Sequence, residues 1–292
     1  MDNLRGILLV VMAMALFTVE DSFIKYLSGS IPVGQILFIT GAGGTLLFGL
    51  AAVLMRKRLL APVAWRRLYL LRMLAEAAAG VAFYLGLWLV DLSVVAAVFQ
   101  ATPLAVTLGA ALFLREHVGW RRWIAILVGF CGVLLIIRPG LAGFDPATLF
   151  VVVAVLCVAA RDLMTRRMDL AVDSLVLSFQ GSLAVLLVAP LLMLAGNTPP
   201  VAMSGTEIKM MLTALIFGAV GYYGIVASMR VGETAVVTPF RYTRLLFAIV
   251  AGMLVFGERP DALTLTGAAL IMATGLFTIL RERRLARARG LM

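Results

Sequence analysis

From Leu92 to Leu114 the chain runs for 23 residues without a charge, and from Leu175 to Ala195 it does so for 21. A helix of about 20 residues crosses the hydrocarbon core of a bilayer. Runs of this kind recur between charges and turn signals. They predict ten spans near residues 4–27, 32–55, 68–90, 92–114, 119–137, 147–168, 172–195, 208–230, 232–256 and 262–280. The connections are short, so no soluble domain is inserted. With 63% of 292 residues hydrophobic and 14% charged, the chain has more apolar side chain than a soluble globule can hide. In lipid every backbone polar group needs an internal partner, which leaves an all-α polytopic membrane protein.

The net charge of +10 then reads as topology rather than nucleic-acid binding. Of 25 Lys and Arg, 17 fall at one end of the spans and four at the other. By the positive-inside rule both termini are cytoplasmic. The first run has Arg5 before it and Ala13-Met14-Ala15 within it, as a signal peptide might, yet the pattern continues, so it is read as an uncleaved span. Cys131 and Cys157 sit in apolar runs without metal-ligand spacing. The single histidine, His117, lies at a helix end, and no GxxxxGK[ST] loop exists. An intramembrane metalloenzyme or a built-in ATPase is therefore unsupported. No metal or cofactor is expected.

The two halves align with each other. A register of 142 residues pairs Val94-Val95 with Val236-Val237, Leu104 with Leu246, Leu112 with Leu254 and Glu116 with Glu258. In the first and sixth spans an offset of 141 pairs Asp21 with Asp162 and Lys25 with Arg166. Each repeat, 1–140 and 141–292, contains five spans. An odd number turns the second copy upside down, an arrangement that recurs in secondary transporters with a midplane site between the halves.

Ten helices in two repeats, each with a small and aromatic-rich fourth helix ending in Glu116 or Glu258, resemble the drug/metabolite transporter superfamily and its EamA-type exporters. The likeness covers nearly the whole chain, and the Gly267 to Gly275 stretch matches the usual ending. The narrowest likeness is to YddG-like exporters of aromatic and other amino acids. The second repeat departs from the pattern, with Leu245 where the first has Pro103, and Pro239 earlier. The ninth helix is thus expected to bend elsewhere. The resemblance implies a multi-pass carrier of the bacterial inner membrane, driven by protons or another gradient. Helices 1–4 and 6–9 would surround a cavity, with helices 5 and 10 outside.

Ionisable residues within spans are costly and face a cavity or a partner. Phe17, Glu20, Asp21 and Ile24 share one face of the first helix, and Glu76 and Phe83 share one of the third. Glu20 lies about 22 Å from the cytoplasmic edge at 1.5 Å per residue, and Arg161 and Asp162 lie as far from the outer edge of a helix running the other way. One charged pair therefore falls towards each mouth. Counted from Gly232 along one helix, Arg241 and Arg244 come near the midplane. Arg72 and Lys25, near span ends, are expected to snorkel. Glu20, Asp21, Glu76 and Asp162 against Arg161, Arg241 and Arg244 make a nearly balanced cavity suited to zwitterions. Phe99 and Gln100 on the fourth span, and Tyr222 and Tyr223 on the eighth, complete the candidate substrate site. Gly218, Gly221 and Gly224 are read chiefly as helix-packing positions.

The expected function is export of small metabolites, most of all amino acids including aromatic ones, by alternating access. The alternatives are a nucleoside derivative, a cationic compound or another drug as cargo, and, further off, an integral membrane enzyme. The expected partners are a small molecule, the lipid bilayer and protons as candidate coupling ion, with no nucleic acid.

Overall fold

A computed structural model describes residues 3–113, 119–139, 144–165, 167–168, 172–231 and 238–288, with the side chains at 3, 122, 223, 226, 227, 229–231, 238, 239, 279 and 281–288 outside the description. The helices are α1 (Asn3–Leu27), α2 (Val33–Leu54), α3 (Arg67–Leu89), α4 (Leu92–Phe99), α5 (Thr102–Phe113), α6 (Trp120–Ile137), α7 (Thr148–Thr165), α8 (Ser174–Ala195), α9 (Gly205–Val231), α10 (Thr243–Phe256) and α11 (Ala262–Ala288). Short 3-10 turns cover Pro62–Trp65 and Thr238–Tyr242. Six of the described spans are long and apolar enough to cross a membrane, and Trp123–Ile137 and Ala262–Thr278 are shorter apolar segments. Leu8, Leu46, Leu54, Leu112, Leu187 and Leu254 stand exposed on the outside, as side chains facing lipid do.

The packing shows why the halves must be inverted copies. α1 lies along α9 and α7 lies along α3, the same pair of repeat positions with the halves exchanged. α2 packs on α8 and α6 on α11, each helix against its own counterpart. A two-fold axis in the membrane plane produces this exchange. The fold is therefore ten transmembrane helices in two inverted five-helix repeats, with α6 and α11 paired to one side. Small residues allow the close contacts. A Cβ at Gly41 would come within 2.6 Å of the Leu186 backbone nitrogen, and one at Gly221 within 3.3 Å of the Ala13 carbonyl.

Two spans are not single helices. The fourth breaks between Phe99 and Thr102, with Pro103 in the first turn of α5. The ninth is not one helix over 232–256: a 3-10 turn holds Thr238–Tyr242 and α10 starts at Thr243. Thr102 plus the repeat offset is Arg244, one residue past the start of α10, so the second helical segments of the two spans begin at neighbouring repeat positions, while the irregular segment of the ninth span includes the earlier Pro239. Pro239, lacking an amide proton, opens the 3-10 turn four residues before α10 and takes the part that Pro103 plays in the first repeat.

The connections away from the termini are tied together. Glu258 accepts hydrogen bonds from the backbone amides of Leu92 (2.5 Å) and Ser93 (3.0 Å) and from the Ser93 hydroxyl (2.6 Å). It thus caps the N-terminus of α4 from the other half of the molecule. Lys25 lies 3.9 Å from Glu258, donates to the Leu87 (3.3 Å) and Val90 carbonyls, and sits over the Phe256 ring. It does not snorkel, because its ammonium is spent on these buried acceptors. Arg138 pairs with Asp261, joining the ends of α6 and α11.

Candidate functional site

The broken fourth and ninth spans, with α1, α3, α7 and α11, enclose a cavity of about 500 Å³. Phe17, Asp21, Phe83, Phe99, Gln100, Arg161, Asp162, Arg241 and Arg244 all line it. A second cavity of about 740 Å³ lies between α1, α2, α3, α8 and α9 and is lined by Glu20, Glu76, Tyr84 and Tyr222. Phe17, Arg161 and Asp162 line both, so the two are lobes meeting at those residues. The structure brings every candidate residue with a described side chain to one lobe or the other. The side chain of Tyr223 lies outside the description, as do Glu116 and His117.

The in-span charges sort into pairs. Arg244 donates to Asp21 at 2.6 Å and stacks over Phe17 (5.3 Å) and Phe99 (6.0 Å). Arg161 donates to Glu76 at 2.7 Å and to Asp162 at 2.8 Å. Arg72 joins this cluster, 3.5 Å from Glu76, and donates to Thr165 Oγ1 (2.9 Å) and the Leu177 carbonyl (3.0 Å). It is 9% exposed, so the expectation that it snorkels is corrected. Its acceptors lie within the bundle, and reaching water would leave Glu76 short of a partner. The in-span charge is then four acids against four bases rather than four against three.

Two of the eight are left over. Among the described residues, Glu20 has no ion pair or hydrogen bond, and neither has Arg241. Arg241 Nε is buried without an acceptor, and so is the neighbouring hydroxyl of Tyr242. Both residues line the smaller lobe. The two arginines of the ninth span therefore do not form one fork: Arg241 belongs to the 3-10 turn and has no ion pair or hydrogen bond among the described residues, whereas Arg244 opens α10 and is held by Asp21. The helical depth count from Gly232 does not apply to this segment.

The aromatic residues separate in the same way. Phe83 and Phe99 pack with ring centroids 4.9 Å apart beside the smaller lobe. Tyr222 lies edge-on to Phe48 at 5.5 Å, within 3.3 Å of the Ser178 hydroxyl, against the larger lobe. The glycine series on α9 serves packing against α1. A Cβ at Gly218 would lie 2.5 to 2.8 Å from the Glu20 carboxylate, and one at Gly224 3.2 Å from Ala13 Cβ. Tyr242, next to Arg241 in the chain, also lines the smaller lobe, and its hydroxyl lies against Gly275 of α11.

An inverted-repeat bundle with charge and aromatic residues around a central cavity is the architecture of a membrane transporter. The chain belongs to the EamA-like transporter family, whose pattern matches residues 4–138 and again 145–280. It is 31% identical over 229 residues to the riboflavin transporter of Rhizobium johnstonii, covering 75% of this chain and 72% of that one. It is 26% identical to the S-adenosylmethionine uptake transporter of Rickettsia conorii, over 68% of this chain and 67% of that one. It is 27% identical to the pseudopaline exporter of Pseudomonas aeruginosa, over 91% and 93% of the two chains. A solved crystal structure of 18% identity matches 96% of this chain and 98% of its own with a TM-score of 0.59, which shows the fold. These relatives are transporters of small molecules and not enzymes.

Proposed function

We propose that the chain is a secondary transporter of the bacterial inner membrane that exports small carboxylate-bearing metabolites, amino acids including aromatic ones foremost. Each half, 1–140 and 141–292, moves as one arm, and both termini face the cytoplasm. The observation that carries this reading is Arg241, which lines one cavity with its Nε buried and without a hydrogen-bond partner. A buried donor without an acceptor is costly, and a planar carboxylate matches an arginine fork. Phe17, Phe83 and Phe99 supply an apolar wall for a side chain.

Relatives named for riboflavin, S-adenosylmethionine and pseudopaline differ in cargo and in direction, so the cargo is argued from the cavity and the direction from the likeness to exporters. Protons are proposed as the coupling ion, because a protonated acid can cross a closed, low-dielectric cavity at lower cost than a charged one.

Counterflow in liposomes with labelled amino acids, nucleosides and cationic dyes tests the proposal. Exchange of amino acids, with aromatic ones favoured and the others inert, is the expected result. Exchange of nucleosides or dyes alone would overturn it.

A further inference from the structure

The two unpaired in-span charges lie in different lobes. Arg241 lines the smaller and Glu20 the larger, and the two lobes share Phe17, Arg161 and Asp162 in their walls. The inverted repeat explains how Glu20 lost its partner. In the α3–α7 contact, Arg161 of one half holds Glu76 at 2.7 Å. The repeat registers carry Arg161 back to Glu20 (offset 141) and Glu76 forward to Gly218 (offset 142). Those two residues meet in the α1–α9 contact, where a Cβ on Gly218 would lie 2.5 Å from Glu20 Oε1. What is an ion pair on one side of the two-fold is, on the other, a carboxylate against a glycine. The glycine gives the carboxylate room and no charge.

Within the larger lobe, the other ionisable groups are already engaged. Glu76 and Asp162 are held by Arg161, and Arg72 is bonded to Glu76, Thr165 and Leu177. Asp21, next to Glu20 in the chain, is held by Arg244. Among the described residues no cation forms an ion pair with Glu20, since Arg244, whose charge reaches it, is bonded to Asp21, and an ionised acid within a span is costly without a partner. Phe48, Tyr84 and Tyr222 line the same lobe, and aromatic faces attract organic cations.

Resting on the reading of Arg241 as the carboxylate anchor, we propose that the two lobes hold the two ends of one elongated bipolar substrate. Its acid group meets Arg241 in the smaller lobe, its body passes Phe17, and a protonated amine meets Glu20 in the larger. Among amino acids, those with a cationic group set apart from the carboxylate then gain a second contact that the others lack.

A molecular ruler tests this. Purified full-length protein in detergent, at one fixed pH, is titrated calorimetrically with ω-amino acids of three to eight carbons and with their N-acetyl counterparts, which keep the acid and lose the cation. At one chain length the free amine should bind about tenfold more tightly than its N-acetyl form, as a charge-assisted contact is worth. Glu20→Gln should abolish that gain, and an unfolding temperature in detergent like that of the wild type shows that the variant is folded. No gain at any length, or a gain that survives Glu20→Gln, overturns the proposal. Failure of the carboxylate reading shows separately, as N-acetyl acids that bind Arg241→Gln as well as they bind the wild type.

Discussion

Individual residues decide what this cavity can hold. Gly218 matters because of what an added methyl would meet: the end of the flexible Glu20 side chain, at 2.5 to 2.8 Å. Gly218→Ala should therefore fold, because the carboxylate can swing aside and alanine favours helix by up to about 1 kcal/mol. It should nonetheless lose the tighter binding of free over acetylated amines. Gly41→Ala places its methyl against the Leu186 backbone, which cannot turn away. It should cost about 1–3 kcal/mol, read as a lower unfolding temperature in detergent than that of Gly218→Ala. Equal stability of the two variants would contradict the contacts described. The charged residues of this site were legible in the sequence, because an ion in an apolar run has few uses. Which of them remained unpaired was not legible. Pairing depends on side chains brought together from distant helices, as Arg244 and Asp21 are across 223 positions.

Among the elements, α4 and the segment leading into α10 are the least regular and the most exposed to mechanism. Hydropathy shows the apolar runs but not where a backbone ladder stops, so the break of the fourth span escaped the sequence reading, whereas the early Pro239 pointed to a bend in the ninth. Sequence resemblance picked out Glu258 as a family ending without saying what it does. Its carboxylate closes the N-terminus of α4 and faces Lys25, so it joins the halves at the end of the bundle away from the termini. Glu258→Ala should destabilise the protein by about 3 kcal/mol, the cost of breaking a buried pair. In a double-mutant cycle with Lys25→Met the two losses should not add. Additive losses would show that the lysine and the glutamate act independently. The Arg138–Asp261 contact nearby behaves differently with pH. Its hydrogen bond from Arg138 holds the Asp261 carboxyl down at about 2, below its usual 3.8. A lowered folded value means that this contribution is present above pH 3.8 and lost only as the pH falls towards 2. Acidifying the outer face to pH 5 should leave amide exchange at Thr264 unchanged.

For the whole molecule, orientation and the alternation of the two arms are the claims that matter. The basic residues predict that Ser28→Cys and Ser204→Cys, in a background without Cys131 and Cys157, react with an impermeant thiol reagent from outside. Arg287→Cys should not. The opposite pattern would invert the protein and make import the natural direction. The repeat that underlies this topology was readable from charged matches such as Asp21 with Asp162. The exchange of helix partners between halves was not, because no single sequence records which face of a helix its neighbour takes.

The central claim is that the free guanidinium of Arg241 receives the acid group of the cargo. It is tested most directly by amino-acid exchange in liposomes containing Arg241→Gln, beside Arg244→Gln as a control in which the Asp21 pair is broken. The account predicts that Arg241→Gln inserts and folds like the wild type but binds amino acids about ten- to a hundredfold more weakly, the worth of a charge-assisted hydrogen bond. Arg244→Gln should instead lower stability, because it leaves Asp21 buried and alone. A folded Arg241→Gln protein that exchanges amino acids with wild-type affinity would contradict the account.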